Sequence, residues 1–271
     1  MDELTGAESP QERESRVRRG AAFGAAAAAY AEHRPDYAEA AIRWALEPVR
    51  LREPLRVVDV GAGTGKLTAA LARLGAEVTA VEPDPRMLAQ LGTELPSVRS
   101  VPGSAEQIPL PDGSVEAVVA GQAMHWFDLD RAMPEIARVL VPGGIVAGLW
   151  NMDDDRVGWV AGLAQIRNRD GDATVLGWRR GVGRARQERL SAVAPDLFDP
   201  VEAGEFGNGQ PRTVDSLLAT MTTHSDLLAM DEPQRGEMLA RMRDFLHGQP
   251  ETSTGEFVMP LVTVVLRARR K

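Results

Sequence analysis

Three groups of residues have the types and spacing of a chemical site. The first is Asp59-Val60-Gly61-Ala62-Gly63-Thr64-Gly65-Lys66. Glycines reach positive φ and carry no Cβ, so a ligand can approach the main chain of such a turn closely. A helix that follows directs free N–H groups at the same place. That is chemistry for a nucleotide-like ligand. The second group is Glu82 with Pro83, closing the next β-branched run at a separation that suits a carboxylate for ribose hydroxyls. The third is Gln122-Ala123-Met124-His125-Trp126-Phe127, after a further apolar run. His125 has an unperturbed pKa near neutrality and is the candidate for deprotonating an acceptor hydroxyl or amine. The alternative is that His125 and Trp126 pack the turn. His224, between Thr223 and Ser225, is a second candidate base.

Other clusters carry less. Asp153-Asp154-Asp155 has no histidine pair spaced to join it, so a solvated loop is the simpler reading and no metal is expected. There is no cysteine, which excludes disulfides, thiolate catalysis and sulfur-built zinc sites. A net charge of −8 argues against a nucleic-acid surface and favours a small-molecule partner. No apolar run approaches the ~20 residues of a membrane-spanning helix, so a cytoplasmic protein is expected. Oligomeric state is not readable from the sequence.

The elements that must position these groups follow from hydrophobic period. At 271 residues and 44% apolar content, the chain can bury one large core. Residues 1–20 are polar and without period, the pattern of a disordered tail. An alanine-rich helix over 21–30 ends before Pro35, and a short helix covers 40–46. The basic residues before the alanine run imitate an export signal, but the acidic residues before it and the lack of leucine favour a helix on or over the site. Apolar strands are predicted at 55–60, 77–81, 98–101, 115–120 and 145–150. Between them, helices fall at 67–74, from Pro85 with Asp84 as N-cap, and from Asp128 to about 140. The loop 103–112 is punctuated by prolines and is expected to wrap a ligand. Pro142-Gly143-Gly144 is expected to form a turn. Strands alternating with helices predict a doubly wound α/β fold on a mostly parallel sheet.

Beyond Asn151 the pattern loosens. Helices are predicted at 159–167, 182–193, 216–230 and 234–246, and strands at 201–206 and 257–266. This gives a seven-stranded sheet with a helical cap inserted before the last strand. The expected organisation of residues 21–271 is a single domain: N-terminal helices over 21–50, a cofactor-binding core over 51–151, and cap and last strands over 152–271. Met221, Met230, Met238, Met242 and Met259 fall in or just after the helical pair. They line an apolar acceptor pocket or simply fill a core.

The glycine turn can be narrowed. A phosphate-binding loop needs Ser or Thr after Gly65-Lys66, and here Leu67 follows. A dinucleotide fingerprint needs a third glycine where Lys66 stands, which leaves an NAD(P)-binding oxidoreductase as the alternative. Four motifs together resemble the class I S-adenosylmethionine-dependent methyltransferases. They are residues 59–65, Glu82, Gly103-Ser104-Ala105-Glu106-Gln107-Ile108-Pro109, and Arg138-Val139-Leu140-Val141-Pro142-Gly143-Gly144. The likeness is to the small-molecule branch with the ubiquinone/menaquinone and trans-aconitate methyltransferases, and it covers 23–151.

The resemblance implies a Rossmann-like fold, S-adenosyl-L-methionine as cofactor and methyl transfer to a small-molecule acceptor. A non-catalytic protein binding the same cofactor is the second alternative. It further implies that Gly61, Ala62 and Gly63 pass beside the methionine portion, that Asp59 orders the turn, and that Glu82 with Pro83 meets the ribose. Met87 would lie against adenine, or else be a core residue of its helix. Ser104, Ala105 and Glu106 would meet the adenine edge, and many relatives carry aspartate where Ser104 stands. Gln122 would adjoin the cofactor from the fourth strand. Phe23, Tyr30, Arg34, Pro35 and Tyr37 resemble the segment that covers the cofactor, with Arg34 placed for its carboxylate.

Overall fold

Runs of valine, alanine and isoleucine build the sheet that carries every candidate group. The computed structural model describes residues 35–167, 182–222, 224, 227 and 230–271, with backbone alone at 182–186. The expected tail and first helix, with Phe23, Tyr30 and Arg34, lie outside the described residues.

Seven strands of the described residues form one sheet: β1 (Arg56–Val60), β2 (Glu77–Glu82), β3 (Arg99–Pro102), β4 (Val115–Gly121), β5 (Leu140–Asp153), β6 (Glu202–Arg212) and β7 (Phe257–Arg269). Their order is β3-β2-β1-β4-β5-β7-β6. The first five are parallel, while β7 runs antiparallel to both β5 and β6. This is the expected doubly wound α/β sheet. The order reverses between β1 and β4, and that switch point opens a crevice at the carboxyl ends of the strands.

Helices α1 (Glu39–Leu46), α2 (Lys66–Arg73), α3 (Pro85–Glu94) and α4 (Leu129–Val139) flank the parallel part. Ile42 and Leu71 pack with Val57, Val119 and Ala147 in one core cluster. Met133 and Ile136 pack with Val118, Ala120 and Val146 in a second. Asp84 caps α3 as predicted, its carboxylate accepting the Arg86 N–H at 2.8 Å. Asp128 stands at the N-cap of α4 without a side-chain cap bond, and its own N–H goes to Glu106 Oε1 at 2.9 Å.

The second half holds α5 (Gly158–Arg167) and α6 (Val182–Val193) before β6, and α7 (Val214–Thr222) and α8 (Glu232–His247) between β6 and β7. Trp159, Leu163, Leu217, Met221, Met238, Met242, Phe257 and Met259 bury together in a third cluster. The four methionines therefore fill a core, the packing alternative rather than a pocket. α7 is described over Val214–Thr222, and a bend at His224 interrupts the expected helix 216–230.

One local expectation is corrected. Pro142-Gly143-Gly144 lies inside β5, because Arg270 pairs with it: Gly143 N–H donates to Arg270 O, and Arg270 N–H to Gly144 O. A register shift between Val115 and Ala117 absorbs the irregularity. Loop 103–112, expected to wrap a ligand, is held from α4. Ala105 and Ile108 are buried, and the Arg138 guanidinium donates to the carbonyls of Ile108 and Leu110, both at 2.9 Å.

Candidate active site

The turn between β1 and α2 is closed by its neighbours' backbone. Gly61 N–H donates to Val81 O at 2.8 Å, and Ala62 N–H to the same oxygen at 3.2 Å. Gly61 has φ +68°, and a Cβ there would stand 2.7 Å from the Ala123 Cβ. Neither requirement can be met by a larger residue.

Glu82 finishes β2 almost wholly buried, 6% exposed. Its Oε2 accepts the Gly63 N–H at 2.8 Å and its Oε1 the Asp84 N–H at 2.9 Å. Burial pushes its pKa up, against the lowering effect of those two amides. Asp59, 1% exposed, accepts the Thr68 hydroxyl on Oδ2 at 2.6 Å. Burial raises its pKa to about 7, with the Thr68 hydrogen bond lowering and the Glu82 charge raising it. Two buried atoms here have no hydrogen-bond partner among the described residues: Asp59 Oδ1 and Thr64 Oγ1.

Both residues line a cleft of about 460 Å³, its open mouth included, together with Gly61, Ala62 and Gly63. Gly121, Gln122 and Asn151 form the wall from β4 and β5, and Pro35 and Tyr37 the wall from the segment before α1. Gln122 is the non-glycine residue with positive φ among those described, at +54°. Its N–H donates to Leu149 O at 2.8 Å and its Nε2 to Asn151 O at 2.9 Å, which hold the strained backbone in place. Lys66 reaches across to Asp36, Nζ to Oδ1 at 3.3 Å.

The remaining candidates sit outside this lining. Glu82 adjoins it through Gly63. Met87 is buried in α3, its sulfur 3.7 Å from where a Gly63 Cβ would be. Pro83 is exposed at the end of β2, Ser104 N–H donates to Gln107 O, and Ala105 is in the core. Glu106 is engaged by Asp128 N–H. His125 is exposed, and its Nδ1 accepts the Trp150 indole N–H at 3.2 Å. His224 lies away from the glycine turn, with Nδ1 3.0 Å from Arg167 Nη2. Asp153 and Asp154 pair with Arg167 and Arg156. Among the described residues, no three His, Cys, Asp or Glu side chains are grouped to hold a metal, and no helix is long and apolar enough to cross a membrane.

Thr64 and Lys66 stood in the glycine motif without a role of their own, and Asn151 was not singled out by the sequence as a site residue. Asn151 did carry a signal: it is the first polar residue after the apolar run 145–150, at the carboxyl edge where such sheets bind ligands.

Comparison with known proteins decides the family. A model described as a methyltransferase domain matches residues 58–148, from β1 to β5. An uncharacterized methyltransferase of Mycobacterium tuberculosis is 39% identical over 247 residues, 91% of this chain and 94% of that protein. The chain belongs to the class I S-adenosylmethionine-dependent methyltransferases. A demethylmenaquinone methyltransferase of Chlorobaculum tepidum is 42% identical over 95 residues, 34% of this chain and 39% of that protein. A solved structure from Anaeromyxobacter dehalogenans, described as a type II methyltransferase, superposes with a TM-score of 0.61 at 26% identity, covering 88% of this chain and 97% of that one.

The methyltransferase cleft fits a polar ligand. Buried polar atoms in native proteins are almost always paired, so Asp59 Oδ1 and Thr64 Oγ1 mark where polar atoms of a ligand would find partners. The positive-φ turn leaves the main chain open to close approach.

Proposed function

We propose that this methyltransferase binds S-adenosylmethionine in the cleft at the carboxyl ends of β1, β2 and β4 and methylates a small-molecule acceptor. The observation that carries the reading is the pair of unsatisfied buried oxygens, Asp59 Oδ1 and Thr64 Oγ1, beside the glycine turn. When bound, the cofactor supplies a methyl group already activated on sulfonium sulfur. The chain therefore mainly has to orient donor and acceptor and exclude water. Glu82 would hold the ribose hydroxyls, the turn 61–63 the methionine portion, and Asp59 its ammonium. Pro35, Tyr37 and Gln122 wall that end from water. The net charge of −8 supports a small acceptor over a nucleic acid. Calorimetric titration with S-adenosylhomocysteine and with NAD tests the reading: binding of the former alone is expected, and binding of NAD alone overturns it.

Tyr37 gives a direct check on the cover. An alanine methyl at Gly121 would stand 2.5 Å from the Tyr37 Oη and 2.9 Å from its Cζ. The clash falls on the distal end of the Tyr37 side chain, which must shift to admit the methyl, so the cover is disturbed at the ring. Gly121→Ala is expected to weaken S-adenosylhomocysteine binding about tenfold, roughly one displaced contact's worth, with little change in melting temperature. Unchanged affinity would place the cofactor away from Tyr37.

His125 is the proposed candidate for proton transfer, under one condition. With Nδ1 accepting from Trp150, the neutral ring carries its proton on Nε2, so acting as a base requires release of that bond. His125→Ala is expected to leave cofactor affinity unchanged and to lower turnover of an identified acceptor less than tenfold, because an activated methyl needs no obligatory base. A fall of about 10²–10⁴ with loss of the acid limb of the pH profile would make His125 the base.

A further inference from the structure

Two polar residues on the far strands of the sheet remain unexplained by the cleft itself. Thr263 is 0% exposed in the middle of β7, between Val262 and Val264, and Asn208 is 9% exposed on β6. Valine at 263 would match its neighbours, so a polar residue there needs a reason. The reason lies in the segment 35–38, which has no regular secondary structure and must find partners for its backbone elsewhere. Thr263 Oγ1 accepts the Ala38 N–H at 3.1 Å. Asn208 Nδ2 donates to Asp36 O at 2.6 Å. Asn151 Nδ2 donates to Asp36 O at 3.1 Å and to Pro35 O at 3.3 Å.

The three side chains also fix one another. The Thr263 hydroxyl donates to Asn151 Oδ1 at 2.6 Å, and Asn208 Nδ2 reaches the same oxygen at 3.1 Å. Gln210 Nε2 donates to Asn208 Oδ1 at 3.0 Å, which sets the orientation of the Asn208 amide. Each member thus holds both the segment and its neighbour, and the network is tied across β5, β7 and β6. Its outer end is the cleft wall, since Pro35, Tyr37 and Asn151 line the cleft and Gln122 Nε2 donates to the Asn151 carbonyl.

We propose that Asn208 and Thr263 are positioning residues that fix residues 35–38 as a wall of the methyl-donor cleft, acting through Asn151 and the Asp36 and Ala38 backbone. This rests on the donor site proposed above. Neither residue lines the cleft, and each sets donor affinity by holding the segment that does.

Thr263→Val keeps the shape of the side chain and removes its hydrogen bonds, Thr263→Ser restores the hydroxyl, and Asn208→Ala cuts the second link should Thr263→Val fail to fold. Two readouts are taken on the full chain: amide hydrogen exchange over residues 35–41 without ligand, and calorimetric titration with S-adenosylhomocysteine. Thr263→Val is expected to speed exchange at Ala38 and to weaken binding about tenfold, with Thr263→Ser restoring both toward wild type. Asn208→Ala is expected to do the same at residues 36–38. Unchanged exchange at Ala38 overturns the anchoring, and faster exchange with unchanged affinity overturns its role in donor binding. Failure of the wild-type protein to bind S-adenosylhomocysteine overturns the donor reading and this proposal with it. Equal binding by wild type and variants overturns the positioning role alone.

Discussion

The ligand-free methyltransferase is expected to lose stability as the pH rises from about 4 to about 7, and Asp59→Asn to remove most of that loss. Burial raises the Asp59 pKa from 3.8 to about 7 in the folded chain. Between those two values the folded state binds more protons than the unfolded one, so stability falls with rising pH and levels off above the folded pKa. At 1.36 kcal/mol per pKa unit the loss is on the order of 4 kcal/mol. Glu82, also raised by burial, contributes with the same sign. Asp84 and Glu135 act in the opposite direction. The hydrogen bonds from Arg86 and Arg138 hold their carboxyls below the usual range, so the stability they give is lost only as the pH falls through their lowered values, below the Asp59 window.

In Asp59→Asn the titration disappears. The Thr68 hydroxyl keeps an acceptor, but the new NH₂ takes the place of a buried oxygen without a partner, at a cost of about 1–3 kcal/mol. The variant should therefore be more stable than wild type at pH 8, by about 1–3 kcal/mol, and no more stable at pH 4.5. Urea unfolding at a series of pH values measures both. The same variant should bind S-adenosylhomocysteine more weakly, because an amide cannot neutralise the ligand's ammonium. An identical pH slope in wild type and variant would show that Asp59 is not the titrating group.

Asp59, the glycines and Glu82 were legible in the sequence because their placement is local. A strand, a tight turn, a helix and the next strand, all between Arg56 and Glu82, fix their relation, and the apolar runs give the strands. The wall at 35–38 is held by Asn208 and Thr263, more than 170 residues away along the chain, and no spacing announces such a link. What fixes loop 103–112 was not legible in its own prolines and polar residues. The side chain that ties it down, Arg138, comes from α4, and its reach cannot be seen from the loop. The cap methionines kept two readings until packing decided, because a core stripe and a pocket lining share one sequence pattern. β5 extends through Pro142-Gly143-Gly144 because Arg270 supplies the partners, again a contact between distant residues.

Glu82 carries the second large expectation. A carboxylate has about four acceptor positions, and the Gly63 and Asp84 amides take one on each oxygen. One further position on each oxygen remains, the number needed for two vicinal ribose hydroxyls. Hydrogen bonds to a charged acceptor contribute about 1.5–3 kcal/mol each, so losing two in Glu82→Ala should raise the Kd for S-adenosylhomocysteine by about 10²–10⁴-fold. Glu82→Gln should be nearly as damaging despite its shape. It offers one carbonyl to two amides, so its NH₂ must face either the Gly63 or the Asp84 N–H, and the glycine turn loosens as well. Titrating wild type and Glu82→Gln with S-adenosylhomocysteine and its 2′-deoxy analogue isolates the ribose contact from the damage to the turn. Wild type should prefer the parent ligand, and the variant should scarcely distinguish the two. Equal discrimination in both proteins would mean that the hydroxyls are held by another residue, leaving Glu82 the smaller task of pinning Gly63 and Asp84.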